Sequence, residues 1–256
     1  MTRKLLTRRA ALTGLAGGGS GLLLAGCERM VQIPGVLSAL ESAEQLSLYG
    51  QRLLLRDTRP LAREYPRSEI SRNFKANGTT RPQGDEYALH AVTGFSDYRL
   101  KVDGLVARPL ELSLDQIRQL PSRTQITRHD CVEGWSAIGE WTGVPLSTLL
   151  QMAGLGNGTQ YIVFHCADDL LGQGLYYESI DLVDAYHPQT IMAYAMNGQT
   201  LPIPHGAPLR LRVERQLGYK MAKYVMRIEA VESFANIRRG RGGFWEDLGY
   251  EWYAGI

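Results

Sequence analysis

Short stretches of alternating polar and apolar residues constrain the fold of this chain more than any other feature. Alternation with a period of two predicts strands that bury one face. Residues 98–102 and 124–128 alternate in this way, as do 209–213 and 224–228. The apolar run at 161–164 is typical of a fully buried strand. The chain is therefore predicted to be rich in short β-strands.

Two helical segments are predicted among these strands. Residues 112–120 have an amphipathic pattern that Pro121 closes. Residues 144–153 carry Pro145 in the first turn and Gly154 after the last residue, an arrangement typical of helix ends. Strands mixed irregularly with short helices predict an α+β fold with mixed β-sheets.

The composition is that of an ordinary globular protein. Of the 256 residues, 44% are hydrophobic and 21% are charged, which excludes disordered and collagen-like chains. Three cysteines are too few for a disulfide-dense scaffold. A net charge of +2 is too small to indicate a nucleic-acid partner. We expect a monomer with a core of substantial size.

The charge of the chain is concentrated at its N-terminus. Residues 1–26 contain Arg3, Lys4, Arg8 and Arg9 and no acid, so the rest of the chain has 24 basic and 26 acidic residues. An apolar, glycine-rich stretch follows the basic start, which is typical of an export signal. This stretch is too short and too rich in glycine for a transmembrane helix, which needs about 20 apolar residues. The chain after residue 26 therefore has a formal net charge close to zero.

Two motifs refine the prediction of an export signal at residues 1–26. Residues 7–12 resemble a twin-arginine signal, which exports folded proteins, and residues 24–27 resemble a bacterial lipobox that ends at Cys27. The alternative is a plain secretory signal with a chance arginine pair and a chance cysteine. We expect lipidation at Cys27 and a periplasmic or outer-surface location, membrane-anchored by lipid. Folded export also suggests that a cofactor is inserted before transport.

Residues 27–70 are predicted to form a tether and an N-terminal arm. Their pattern is mostly helical, with an interruption at Gly50 and an end at Pro60 and Pro66. Turn-forming residues then predict a loop over 71–86. The remaining chain, 71–256, is predicted to be one domain whose aromatic C-terminus packs back on the core.

Cys131 is the first candidate for chemistry. It lies in a polar stretch that follows a predicted strand, with Arg128 and His129 nearby, and cations lower the pKa of a thiol. A zinc site with His129, His165 and Cys166 and a cysteine hydrolase are alternatives, although the spacing is not that of structural zinc. A buried cysteine without a chemical role is a further alternative.

Four segments carry a resemblance to a known family. Residues 128–135 resemble the segment with the molybdenum-ligating cysteine of the sulfite oxidase family, which includes bacterial periplasmic protein-methionine-sulfoxide reductases. Residues 193–202, 205–210 and 218–224 are similar to three further segments of that family, in the same order. The resemblance runs from about residue 74 to 228.

The resemblance implies a sulfite-oxidase-type fold and a cofactor made of molybdenum and molybdopterin. Cys131 would be the metal ligand, in line with the affinity of soft thiolates for such metals. Tyr194 would be the catalytic tyrosine beside the metal, able to donate a hydrogen bond or relay a proton. The reaction implied is two-electron oxygen-atom transfer on a small sulfur or S-oxide substrate.

The resemblance also implies a set of molybdopterin contacts, of which the cationic side chains suit the phosphate. These are Asn73, Ala76, Asn77, Asp168, His205, Arg210, Met221, Ala222 and Lys223. Several have ordinary alternatives: a solvated strand face for Arg210 and Lys223, a turn histidine for His205, and turn or capping roles for Asp168, Asn73 and Asn77. The alternative for Tyr194 is a core position.

Departures from the family leave the substrate open. Ala76 stands where sulfite oxidases place a substrate-binding arginine, and Lys75 and Arg81 lie close to it in the sequence. The residues after Cys131 are closer to the reductase branch, whereas Tyr194 and His205 are closer to the oxidase branch. A cofactor-free, lipid-anchored binding or scaffold lipoprotein is the alternative from another class.

The chain contains no C-x-x-C-H motif for haem attachment. An external electron-transfer partner is therefore expected, either a c-type cytochrome or a membrane haem subunit.

Overall fold

The computed structural model describes residues 61–256 and a few helical residues between 35 and 53. The chain divides into two compact units, residues 1–59 and 60–256. The predicted signal at 1–26 and Cys27 lie outside the described residues. Gly50, predicted to interrupt a helix, is itself helical, because an interior glycine costs a helix only about 1 kcal/mol. No described helix is both long and apolar enough to cross a bilayer.

Ten strands form two sheets in the second unit. They are β1 (Arg99–Gly104), β2 (Leu110–Ser113), β3 (Arg123–Asp130), β4 (Ser136–Pro145), β5 (Tyr161–Cys166), β6 (Tyr177–Asp181), β7 (Ile191–Met196), β8 (Gln199–Thr200), β9 (Arg210–Arg212) and β10 (Val225–Val231). The first sheet has the order β2-β1-β10-β5-β6, and the second has β3-β4-β7-β8 with β9 paired to β7. Only β1 and β10 pair in parallel among these strands.

The helices are short. They are α1 (Asp85–Val92), α2 (Leu114–Gln119), α3 (Leu146–Ala153) and α4 (Leu182–Ala185), with 3₁₀ turns at Arg67–Glu69, Ile203–His205, Gly218–Lys220 and Glu246–Leu248. Mixed sheets with few short helices confirm the predicted α+β class.

Both predicted helices exist but begin later than expected. Residues 112 and 113 belong to β2, because Ser113 caps α2 by accepting a hydrogen bond from the Gln116 backbone N–H. Val144 and Pro145 end β4 before α3 begins. The predicted strand at 224–228 likewise begins at Val225, since Tyr224 adopts a positive φ of 56°.

The larger core lies between the first sheet and the helices α2 and α3. It is made of fully buried apolar side chains such as Leu100, Ile117, Leu149, Phe164 and Ile228. Each such side chain contributes about 1.5–3 kcal/mol when removed from water. A smaller core around Phe74 and Trp141 covers the second sheet. This smaller core is the support on which the site described below is built.

Residues ahead of the predicted domain start extend the second unit. The backbone N–H of Tyr65 donates to Ile126 O at 2.9 Å, and that of Ser71 donates to Ile138 O at 3.0 Å. The last part of the predicted arm therefore lies along β3 and β4.

Candidate active site

Cys131 lies in the tight turn that joins β3 to β4. Its backbone N–H donates to Trp135 O at 2.9 Å, and its own carbonyl accepts from the Gly134 N–H at 3.0 Å. Gly134 has a positive φ of 84°, a conformation that favours glycine. The hairpin thus presents the thiol from a rigid frame, with 8% of the residue exposed.

A cleft of about 650 Å³, counted with its open mouth, surrounds the thiol. Five of the predicted site residues line the cleft: Asn77, Cys131, Asp168, Met221 and Lys223. They come from the early loop, the β3–β4 turn, the segment after β5 and the segment before β10.

Three buried cations lie near the cleft, Arg210, Arg212 and Lys223, and we call them the cationic cluster; of the three, Lys223 lines the cleft itself. Glu214 binds Arg212 through two hydrogen bonds, at 2.8 Å from Nε and 2.6 Å from Nη2. Arg210 has no carboxylate partner: its contacts are His205 O at 3.2 Å and Asn77 Oδ1 at 3.4 Å.

The charge of the cationic cluster is not balanced by the described residues around it. Burial, with the charge of Arg212, lowers the pKa of Arg210 to about 9. Burial and the charge of Arg210 lower the pKa of Lys223 to about 7. The Nε of Arg210 is buried and has no hydrogen-bond partner. An anionic group bound here would relieve the cost of burying unpaired positive charge.

Lys223 fixes the early loop. Its Nζ donates to Asn77 O at 2.6 Å and to Pro204 O at 3.0 Å, and it also donates to Thr79 O. The Tyr224 hydroxyl donates to Thr79 O at 2.7 Å. Lys223 was predicted to meet the pterin phosphate; in the structure its three N–H donors go to backbone carbonyls, so it positions the loop that carries Asn77.

Two histidines near the cationic cluster are neutral. Burial and the neighbouring arginines hold the pKa of His129 well below its ordinary value, and burial lowers that of His205 to about 4. Since His129 Nδ1 accepts from Arg212 at 3.1 Å, its proton lies on Nε2, which is buried without a partner. His205 Nδ1 is also buried without a partner. Both rings are therefore free to bind a further polar group.

The environment of the Cys131 thiol contains opposing influences. Burial and the charge of Glu133 raise its pKa, whereas Lys75 and Arg210 lower it. The net effect raises the pKa of this thiol. The thiol is therefore protonated at neutral pH until a cation displaces the proton, as a thiolate-binding metal does.

Six predicted site residues do not line the cleft: His205 and Arg210, described above, and Tyr194, Asn73, Ala76 and Ala222. Ala193 pairs with Arg210 and faces the smaller core, so Tyr194, the next residue on β7, faces the larger core. Its predicted place beside the metal has no geometric support. Asn73 and Ala76 do not line the cleft, and the carbonyl of buried Ala222 accepts from the Leu211 N–H at 2.8 Å.

The two alternative chemistries of Cys131 receive no support. The described part of the chain has no group of three or more His, Cys, Asp or Glu side chains that could hold a metal ion. His165 instead contacts Glu229 at 2.8 Å on the first sheet, and Cys166 is a buried free thiol. His129 Nδ1 is engaged by Arg212 and cannot serve Cys131 as a base.

One side of the cleft is aromatic, and the sequence patterns did not predict it. Tyr176, Tyr219, Trp245 and Tyr250 line it. The aromatic C-terminus was predicted to pack on the core, and Phe244 does so by stacking on Tyr176 with ring centroids 5.4 Å apart. The density of aromatic residues was the available signal, but its position beside Cys131 depends on long-range packing.

The residues present fit a molybdopterin cofactor. A soft thiolate donor is present at Cys131, and beyond it lies a buried excess of positive charge suited to a phosphate. The unpartnered nitrogens of His129, His205 and Arg210 can bind further polar atoms.

Comparisons with known proteins agree with this geometry. Residues 88–236 match the family model described as the oxidoreductase molybdopterin binding domain. A protein of Azospira oryzae, provisionally named protein-methionine-sulfoxide reductase subunit YedZ1, is 39% identical over 99% of this chain and 87% of its own length. The protein-methionine-sulfoxide reductase catalytic subunit MsrP of Xanthomonas axonopodis is 33% identical over 69% of this chain and 55% of its own length.

A solved structure, the sulfane dehydrogenase SoxCD from Paracoccus pantotrophus, is 26% identical with a TM-score of 0.49. The match covers 54% of this chain and 39% of the SoxCD chain.

Proposed function

Because this chain belongs to the oxidoreductase molybdopterin-binding domain family, we propose that it is an exported S-oxide reductase with Cys131 as the protein ligand to molybdenum. Membership makes it a molybdenum oxidoreductase and disfavours a cofactor-free scaffold. The proposal depends chiefly on one observation: a rigidly held cysteine opens into a cleft that Lys223 also lines, and Lys223 belongs to a buried, unbalanced group of cations.

The residues that would hold the cofactor are at two ends of the site. Cys131 would bind the metal at one end. Arg210 would bind the pterin phosphate at the other end, with His205 and the loop positioned by Lys223 alongside. When bound, the cofactor supplies the exchange of two electrons and an oxygen atom, while the protein binds and orients it.

Substrate polarity supports an S-oxide over sulfite. Lys75, which lies next to the position of the missing arginine, is paired with Glu133 at 2.9 Å. Arg81, a further cation in this part of the sequence, lines a separate groove beside α1. Apart from Lys223, no lysine or arginine in the described part of the chain lines the cleft. A neutral S-oxide therefore suits the cleft better than a dianion, in line with the names of the two relatives above.

Reduction of an S-oxide consumes two electrons and two protons and releases a thioether and water. The electrons would come from an external haem protein, a c-type cytochrome or a membrane haem subunit, because the chain has no haem-attachment motif. The protein's own residues would orient the substrate and exclude water from the thiol side of the cleft.

Export and anchoring belong to the same proposal. The twin-arginine and lipobox motifs support transport of the folded holoenzyme and acylation at Cys27. Mass spectrometry of the membrane fraction tests this, since an unmodified Cys27 there contradicts anchoring. Replacing Arg8 and Arg9 by lysine should leave the protein in the cytoplasm.

A dye-linked assay tests the reaction itself. Holoenzyme from a host that makes the pterin should oxidise reduced viologen with methionine sulfoxide and leave sulfite unoxidised. The Cys131→Ala variant should lose this activity. Oxidation of sulfite without reduction of S-oxides would overturn the assignment of the substrate.

A further inference from the structure

Three aromatic rings on one side of the cleft contact each other, and we call Tyr219, Trp245 and Tyr250 the aromatic wall. The ring centroids of Trp245 and Tyr250 are 5.1 Å apart, and those of Tyr219 and Tyr250 are 5.3 Å apart. The Tyr219 hydroxyl donates to Glu251 O at 2.7 Å, which ties this side chain to the C-terminal segment. All three residues line the cleft that contains Cys131.

Trp245 and Tyr250 lie beyond the part of the chain that matches the family model, which ends at residue 236. They are thus a feature of this chain's C-terminal segment rather than of the matched domain. The cofactor-binding residues considered above all precede them in the sequence.

A buried ion cluster fixes the aromatic wall. Lys220 follows Tyr219, and its Nζ donates to Glu246 Oε1 at 2.6 Å and also to Glu178. Glu246 follows Trp245, so one ammonium group joins the two segments that carry the wall. All three charged side chains are buried, and we call them the buried clamp.

The space around the buried clamp is closely filled. Any side chain at residue 243 would overlap the Glu246 carboxylate, so glycine is required there. A wall held in this way is pre-ordered, which reduces the entropy lost when a ligand binds to it.

The mouth next to the aromatic wall is largely apolar. Val132 is 46% exposed there, and Leu170 also lines the cleft. Glu133, an acid that also lines the cleft, accepts hydrogen bonds from Lys75 Nζ and Trp135 Nε1, both at 2.9 Å. Exposed apolar surface rimmed by paired polar groups is typical of a ligand-binding site.

We propose that Trp245 and Tyr250 bind the alkyl part of the S-oxide substrate and determine specificity for a side chain of methionine's length. The inference depends on the proposed function for the identity of the substrate. Aromatic rings attract methylene groups and polarisable sulfur, and an S-oxide on a longer alkyl chain has more surface to bury against them. Dimethyl sulfoxide offers two methyl groups only and gains less from the wall.

Binding of a non-reducible analogue tests the wall without requiring turnover. The probe is N-acetylmethionine sulfone amide, titrated into holoenzyme by calorimetry. Trp245→Ala and Tyr250→Ala are each expected to weaken binding by about tenfold. Trp245→Phe, which keeps an aromatic surface, should recover most of the affinity.

Leu248→Ala is the matched control. Leu248 lies in the same 3₁₀ turn as Glu246 but lines a different cavity, with Arg238 and Arg239. The Leu248→Ala variant should bind the sulfone with the same affinity as the wild type. Equal weakening by Leu248→Ala and Trp245→Ala would show a general disturbance of the segment and overturn the inference, as would wild-type affinity in both wall variants.

Kinetics separate this inference from the proposed function. With N-acetylmethionine sulfoxide amide, the wall variants should raise KM by about tenfold with little change in kcat, and with dimethyl sulfoxide the rise should be smaller. A wild type that reduces neither S-oxide contradicts the proposed function, whereas weaker sulfone binding by the variants would still support the wall. An equal rise in KM for both substrates would remove the claim of specificity.

Discussion

The cationic cluster and the buried clamp are two buried groups of charges with opposite imbalance. The cationic cluster has three cations, and its ion-pairing carboxylate is Glu214 on Arg212. The buried clamp has one cation, Lys220, between the carboxylates of Glu178 and Glu246. Both are removed from water, so each must resolve its imbalance in another way.

The two groups compensate their imbalance of charge in different ways. Burial and the charge of Glu246 raise the pKa of Glu178 well above its ordinary value, which favours its protonated form and reduces the negative charge of the clamp. An arginine cannot release its proton so readily: the pKa of Arg210 falls to about 9, and it stays charged at neutral pH. The clamp therefore balances most of its charge within the chain, although Glu178 Oε2 and Glu246 Oε2 are buried without a hydrogen-bond partner. In the cationic cluster Arg210 keeps its charge with no paired carboxylate among the described residues, so an anion from outside the chain would stabilise it. Buried charge thus stabilises the fold in one place and prepares a binding site in the other.

Replacing Lys220 by methionine should give the largest change in stability. The two carboxylates would lose their shared cation, and removal of one partner from a buried ion pair costs about 3–5 kcal/mol. Urea denaturation of the cofactor-free protein measures this loss. Lys101→Met, at an exposed position on β1, is the control and should change stability by no more than about 0.5 kcal/mol. Equal stability of the two variants would refute a role for the clamp.

Asp168 should make the stability of the folded protein depend on pH. Burial raises its pKa to about 6, although Lys223 acts in the opposite direction. A carboxyl whose folded pKa exceeds its unfolded value stabilises the fold at low pH and loses that contribution as pH rises through the folded pKa. Between pH 4 and 6 the loss should be up to about 3 kcal/mol.

The Asp168→Asn variant isolates this contribution. Its unfolding free energy, compared with that of the wild type at each pH from 4 to 7, should lack the decline due to Asp168. Parallel stability curves for the two cofactor-free proteins would mean that Asp168 has an ordinary pKa.

Replacing Arg210 by methionine should change the free energy of unfolding in the opposite direction to the Lys220→Met replacement. Removing a buried charge that has no carboxylate partner should stabilise the cofactor-free protein, by about 1–2 kcal/mol. The same change should abolish retention of the pterin phosphate. Arg227→Met, at a half-buried position with carboxylate partners on β1 and β10, should retain it. Strong destabilisation by Arg210→Met would contradict the idea of an unbalanced cluster.

The smallest effect is expected at the surface ion pair between Lys75 and Glu133. Both side chains are well exposed, and such pairs contribute about 0–1 kcal/mol. A double-mutant cycle with alanine at each position, at low and high salt, measures the coupling. A coupling energy well above that range would require a buried environment that the structure does not show.

Local patterns predicted the strands that bury one face, because alternation is visible within a few residues. They missed β2, β4, β6, β7 and β8. Of these, β4 and β7 have side chains buried on both faces, and β4 is interrupted by glycine. The parallel pairing of β1 with β10 joins residues more than a hundred positions apart, and such contacts leave no local signal.

The candidate site was predicted unevenly for the same reason. Cys131 and Arg210 lie in segments with a specific resemblance, and both are near the cleft. Tyr194 was assigned to the site by the same resemblance, but alternation along β7 turns it to the opposite face. The aromatic wall depends on how the C-terminal segment packs beside Gly218–Lys220, which the sequence pattern does not specify.

Molybdenum analysis of purified protein is the most direct test of the central claim that Cys131 and the cationic cluster together hold the cofactor. The wild type from a host that makes the pterin should contain close to one molybdenum per chain. Cys131→Ser should contain at least about tenfold less, since even the loss of a supporting residue costs about 10- to 100-fold in metal affinity. Full, active molybdenum in Cys131→Ser, or only traces in the wild type, would contradict the account.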